Sequence, residues 1–381
     1  MTASFFSVDD FRAGARRRMP RIIFDALDGA AGNETASRRN SAAFEDVYLQ
    51  GRVLVNVEDR AMQTSFLGCQ WQVPFGIAPM GMCDLFWPGA DKAMARVARE
   101  VGLPLGVSTM SSTTLEQLFD LAGGNAWFQL YAGESDELTH NLVARAASTG
   151  YQALILTADV PALAPRQRDL RNGFKVPFRI GPKQALDFAC HPQWTLATLK
   201  NGRPKSRNVN SLPKDVTVGT RVGQFRREAG RGHFDWNFLR ELRAQWPHKL
   251  ILKGVMCAED AHNAVDAGAD AVYVSNHGGR QLDSAPAAIS MLPLIREALG
   301  PEYPIVFDSG VRSGEDIVRT LASGAGFVML GRPFLYALGA GGAGGLSQLL
   351  SLLMNELSTV MAQLGCTHPA QLDGAVRAPP R

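Results

Sequence analysis

Lys249–Asn276 reads "KLILKGVMCAEDAHNAVDAGADAVYVSN". A short apolar run, "KLILKG" (249–254), leads into "AEDAHNAVDAGA", whose apolar residues recur at helical spacing. A second apolar run, "AVYVSN" (271–276), follows. Two buried strands joined by a helix form the crossover unit of a parallel sheet. The same beat extends outward in both directions. Strands are predicted at 74–80, 103–108, 126–131, 153–159, 249–254, 271–276, 304–310 and 326–331. Helical patterns follow most of them, and several end in glycine, as helix C-termini commonly do.

Eight such units are the count that closes a (β/α)8 TIM barrel. A doubly wound open sheet would want fewer strands and a glycine-rich dinucleotide loop after the first. The chain's formal G-x-G-x-x-G match, in "GAGGAGG" from Gly339, does not follow a strand and is read as a flexible connector. The barrel is expected to be a single domain spanning 1–381. Residues 1–73 form an N-terminal extension of two short helices, then a β-hairpin in "VLVNVEDRAMQTSFLG" that closes the barrel's bottom. Residues 176–233 form a basic insertion after strand four, a lid, partner surface or disordered segment.

Composition narrows the class. With 46% hydrophobic and 20% charged residues, the 381-residue chain is globular. A formal charge of +3 makes no case for nucleic acid. Five scattered cysteines, with no C-x-x-C, suggest neither a disulfide framework nor a metal site. With no signal-like N-terminus and no apolar run of bilayer length, the expectation is a cytoplasmic protein.

The carboxyl ends of barrel strands carry the active site, and here they are polar. In chain order the tips hold "APMG", Ser108, Gln129 with Tyr131, Thr157 with Asp159, and Lys253. Ser275 with His277 and Arg280, "DSGVRSG" and "GRP" complete the ring. Gly310, Arg312 and Gly314 after strand seven, with Gly331 and Arg332 after strand eight, supply backbone amides and guanidiniums where this fold usually binds phosphate. Lys253 is either a Schiff-base nucleophile or a fixed positive charge beside an anionic group. The residues alone leave both open.

Six motifs stand in register on matching strands: "FQLY", "LTADVP…RQRDLRN", "LILKG", "SNHGGRQLD", "DSGVRSG" and "GRP". Over roughly residues 5–366 the chain resembles the FMN-dependent α-hydroxy-acid oxidases and dehydrogenases, the family of glycolate oxidase, lactate oxidase and mandelate dehydrogenase. The resemblance implies that His277 takes the substrate's proton, that Asp159 holds the imidazolium, and that Arg166 and Arg280 clamp the substrate carboxylate. Tyr131 would bond the hydroxyl or carboxylate, and Lys253 would sit against the flavin N1–C2 carbonyl. The other FMN contacts would be Pro79, Gly81, Ser108, Gln129, Thr157, Ser275, Asp308, Gly310, Arg312, Gly331 and Arg332.

Gly81 and "HPQW" (191–194) look more like the dehydrogenases than like glycolate oxidase. That implies a quinone or other carrier as electron acceptor, with oxygen as the alternative. It also implies peripheral membrane contact through the insertion, where Lys200, Arg203, Lys205, Arg207 and Lys214 would face the inner leaflet, and a homotetramer. One departure stands out. Where relatives have two tyrosines, "IIFDALDG" has Phe24 and Ala26. Ala26 removes a phenol from the substrate site, so a bulkier or aromatic acid is expected. A flavin barrel with altered activity is the rival.

Overall fold

The computed structural model describes residues 4–132, 136–174, 180–202, 204–210, 234–372 and 375–377. Eight parallel strands close into a barrel in chain order: Phe75–Met80, Leu105–Ser108, Ala126–Leu130, Ala153–Thr157, Lys249–Val255, Ala271–Val274, Ile305–Phe307 and Phe327–Leu330. The last strand pairs with the first through Val328↔Phe75. All eight anticipated strands are present, most trimmed by one to three residues at their ends.

Side chains alternate in and out along each strand, so every second residue lines the barrel. Trp127, Ala153, Ile155, Ile251, Tyr273, Val306, Phe327 and Met329 belong to one buried apolar cluster inside it. One step further along the strands, the inward positions turn polar: Gln129, Thr157, Lys253, Ser275 and Asp308. That change of chemistry at constant period is what makes the carboxyl end a site.

The bottom is closed by an antiparallel hairpin, Thr64–Phe66 with Cys69–Trp71. Phe66 and Trp71 pack on Trp127 and Phe327. The hairpin therefore begins later than the sequence reading placed it. Val53 and Leu54 are exposed and lie outside any strand, because this β-branched run finds no partner edge. The N-terminal extension holds three helices rather than two: Val8–Arg18, Arg21–Asp28 and Thr35–Ala42.

"GAGGAGG" is no connector. It lies within the helical segment Arg332–Gln363, which bends at Gly342 (φ 62°, ψ −145°). Small residues are required there by close packing against Val8–Arg18. A Cβ on Gly339 would meet Met19 Sδ at 2.6 Å and Ala15 Cβ at 2.9 Å, and one on Gly14 would meet Ala340 Cβ at 2.8 Å. This segment is also long and apolar enough, by length and composition, to cross a membrane, which the sequence reading did not anticipate. Half of its most apolar stretch is buried in the fold.

The described part of the insertion is helical: Pro182–Ala189, Pro192–Asn201 and Arg207–Asn210. Trp194 is buried and donates to the Phe86 carbonyl at 2.9 Å, which ties these helices to the short helix Cys83–Phe86 after the first strand. Arg203 and Lys214 lie outside the described residues.

Candidate active site

The turn after the sixth strand, "SNHGGRQLD", is folded residue by residue around the site. Ser275 Oγ donates to Asp308 Oδ1 at 2.5 Å, and it accepts from Lys253 Nζ at 2.6 Å and the His277 amide at 3.0 Å. Asn276 exchanges two amide hydrogen bonds with buried Asn40, at 2.7 and 2.8 Å, fastening the turn to Thr35–Ala42. Asp283 accepts from the amides of Asn33 and Ala36. His277, Gly278 and Gly279 then adopt three consecutive left-handed conformations, φ 58°, 63° and 75°. Gly279 is obligatory there, since a Cβ would fall 2.4 Å from the Ser37 amide nitrogen. A histidine at positive φ is a strained residue, worth of order 1–3 kcal/mol, held in place by its surroundings.

That strain aims the imidazole. His277 Nδ1 sits 2.9 Å from Asp159 Oδ1, leaving Nε2 3.4 Å from the Tyr131 hydroxyl. Burial resists ionisation of Asp159, but His277 and Lys253 overcome it and hold its carboxyl below the usual range. Its Oδ2 is buried with no hydrogen-bond partner among the described residues. Lys253 is buried too. Desolvation alone would lower its pKa, yet Asp308 at 3.2 Å, with Asp159 and Tyr131, raises it instead. A lysine paired with Asp308 in this way suits a fixed charge beside an anionic group better than a Schiff-base nucleophile.

Two cavities meet at His277, Tyr131, Arg280, Gly81 and Phe86. The first, about 880 Å³, is lined by Pro79, Gly81, Lys253, Asp308, Gly310, Arg312, Gly331 and Arg332, all anticipated, and by Leu27, Ser309 and Leu335, which were not. Ser108, Gln129, Thr157 and Ser275 do not open onto it. Ser108 Oγ donates to Gln129 Oε1 (2.8 Å), and Gln129 Nε2 donates to Thr157 Oγ1 (3.0 Å), forming a buried chain behind the wall. The second cavity, about 900 Å³, is lined by Ala26, Arg166 and Gln281, and by an apolar set that the sequence reading missed: Met82, Leu85, Met110, Val160, Leu163 and Phe174. These sit on connections where no periodic pattern singles them out.

Cationic groups dominate the junction. Arg280 donates to the carbonyls of Ala26, Leu27 and Gly29, and Arg332 to those of Gly29 and Gly278. Burial, with Arg166 and Arg332 alongside, pushes Arg280 well below the ordinary guanidinium range. Burial likewise lowers Arg332. Guanidiniums that, among the described residues, bond to neutral carbonyls in a desolvated cluster call for anions, and a phosphate and a carboxylate meet that demand. Gly310, at φ 99°, adds backbone that a side chain would block, because a Cβ there would lie 2.4 Å from the Asn40 carbonyl. The charged, glycine-lined first cavity therefore fits a phosphate-bearing ring cofactor such as FMN.

The sequence profile of FMN-dependent dehydrogenases matches residues 15–378. The chain belongs to that family. It is thus an FMN-dependent oxidoreductase. Relatives include (S)-mandelate dehydrogenase of Pseudomonas putida, 38% identical over 368 residues covering 96% of this chain and 92% of the relative. L-lactate dehydrogenase of Caulobacter sp. (strain K31) is 37% identical over 376 residues, 98% of both chains. Among solved structures, the monotopic membrane protein (S)-mandelate dehydrogenase superposes with a TM-score of 0.91 at 36% identity, covering 99% of this chain and 100% of that one. A mandelate oxidase with (S)-2-phenylpropionate gives 0.82 at 33% identity, covering 98% of each chain.

Proposed function

We propose that this enzyme oxidises a bulky, apolar or aromatic L-2-hydroxy acid to the 2-oxo acid and passes the electrons to a quinone or similar carrier. The observation that carries the reading is the meeting of a charged cavity and an apolar one at His277. Lys253 would hold the N1–C2 edge of FMN, with Pro79, Gly81 and Asp308 around the ring, and Ser275 with the Ser108–Gln129–Thr157 chain would brace that wall from behind. Gly310, Arg312, Gly331 and Arg332 would hold its phosphate. FMN, when bound, supplies the acceptor for the electron pair leaving the substrate's α-carbon.

The remaining work falls to side chains. Arg166 and Arg280 bind the carboxylate and so turn the α-carbon towards the junction. Asp159 fixes the histidine tautomer with the proton on Nδ1, leaving Nε2 free to take the substrate's proton, and then stabilises the imidazolium. Tyr131 hydrogen-bonds the substrate beside Nε2. The side chain extends over Ala26 into space walled by Met82, Leu85, Met110, Leu163 and Phe174. Phe24 does not refill that space, because it is buried against Tyr336, with ring centroids 6.4 Å apart.

The test is anaerobic titration of the yellow holoenzyme. Mandelate or a larger 2-hydroxy acid should bleach the flavin absorbance, and bleaching by none of them would sink the reading. Stoichiometric peroxide in air would replace the carrier with oxygen.

Membrane contact belongs to the same proposal. Ile180, Leu186, Leu196 and Leu199 are exposed on or beside the insertion helices, with Lys183, Lys200, Lys205 and Arg207 also exposed there. Apolar side chains amid basic ones suit an anionic leaflet, each cation adding about 1 kcal/mol. We place the enzyme peripherally on the cytoplasmic face, as a homotetramer by family resemblance. Leu196→Glu with Leu199→Glu should release it from sedimenting anionic vesicles.

A further inference from the structure

Helix Arg21–Asp28 has two faces. One carries Ala26 and the carbonyls that receive Arg280. The other borders a separate surface pocket of about 710 Å³, lined by guanidiniums of Arg12, Arg16, Arg21, Arg168 and Arg171, with Asp25, Asp28, Phe24 and Asn172. Five cations face two carboxylates, and the carboxylates are already committed. Asp28 takes both bonds of a bidentate Arg12 pair (2.6 and 2.8 Å), a third from Arg168 (2.7 Å) and a fourth from the Tyr336 hydroxyl (2.7 Å). Burial would raise this carboxyl, but those four bonds hold it well below the usual range. Asp25 accepts from Asn172 at 2.8 Å and touches Arg21 only at 3.5 Å.

Arg12 and Arg168 therefore have a structural task, whereas Arg21 has only that long i,i+4 contact with Asp25, and Arg16 and Arg171 have no carboxylate partner among the described residues. Arg171 reaches the neutral amide of Gln167, and Arg16 forms no ion pair among the described residues. Like charges gathered in a concave surface repel one another, an arrangement that a bound anion relieves. Guanidinium forks match the oxygens of a phosphate group better than those of a halide.

We propose that this pocket is a second anion site, separate from the cofactor cavity, which takes a phosphate group through Arg16, Arg21 and Arg171 over the Arg12–Asp28–Arg168 floor. The phosphate belongs either to a soluble phosphoester or to a phospholipid headgroup. Both sources present the same oxygens.

The experiment uses the FMN-loaded enzyme, in which the cofactor's own phosphate fills the first site. Inorganic pyrophosphate is titrated calorimetrically, and sedimentation is measured with phosphatidylcholine vesicles containing phosphatidic acid. The comparison is with the Arg16→Ala, Arg21→Ala, Arg171→Ala triple variant. All three side chains are exposed, and unchanged flavin absorbance and Tm confirm that the variant is folded. The variant should bind at least one probe about ten-fold or more weakly. Loss confined to pyrophosphate identifies a soluble phosphoester, and loss confined to vesicles identifies a headgroup. A triple-lysine variant should bind more weakly than wild type while still exceeding the alanine form. Equal behaviour of wild type and alanine variant towards both probes, or no binding by either, overturns the proposal.

Discussion

The two cavities at the carboxyl face are built on different principles. The cofactor side is assembled from backbone and charge, with consecutive left-handed residues, glycines where a Cβ would collide, and Lys253 locked between Ser275 and Asp308. Few of its positions can change without moving the chain. The substrate side is walled by flexible apolar side chains and an alanine, on connections rather than strands. On the proposed assignment of the two cavities, chemistry is fixed where the fold is least free, and specificity is set where it is most free.

Four experiments test that contrast. The largest effect is expected from His277→Asn, which keeps the turn but removes the base. Turnover should fall on the order of 10³-fold with FMN still bound; stopped-flow reduction at near wild-type rates would deny His277 its role. Lys253→Met should leave Asp308 buried without its cation, costing about 3–5 kcal/mol of stability and weakening cofactor retention. Denaturation with FMN-release fluorescence reads both, and an unchanged holoenzyme would mean that the cofactor side is not held by charge.

Ala26→Tyr should improve kcat/KM for lactate by restoring a charge-assisted bond worth about 1.5–3 kcal/mol, and should impair larger acids. If wild type already matches the variant on lactate, the open-pocket idea fails. The smallest effect on turnover concerns Asp28, which lines neither cavity at His277 and is tested through stability. Its folded pKa is depressed, so its contribution to stability is complete above the ordinary carboxylate range and is lost as pH falls through the folded value. Asp28→Asn should therefore flatten the acid limb of a Tm-versus-pH curve, and an unaltered limb would count against the Arg12–Asp28–Arg168 floor.

Legibility in the sequence follows the same division. The strands announced themselves because buried β-runs alternate with amphipathic helices, and the polar tips because they interrupt that apolar period at one end. The shared use of Ser275 by Lys253, Asp308 and the His277 amide is a matter of three dimensions and had no linear signal. Nor did the walls: Met82, Met110 and Phe174 come from separate connections. "GAGGAGG" misled because glycine usually loosens a chain, whereas here it lets two helices approach closely. Val53 and Leu54 misled because strand propensity without a partner edge makes no strand.

The left-handed run at 277–279 also constrains how this lineage can drift. Most residues placed at 277 would inherit a backbone they tolerate badly, whereas glycine and asparagine accept positive φ readily. Under the base role proposed for His277, the replacements that cost the fold least are thus among those that would abolish proton transfer. A descendant that loses this activity would keep its barrel, its flavin and its colour, and would differ from its active parent at a single imidazole.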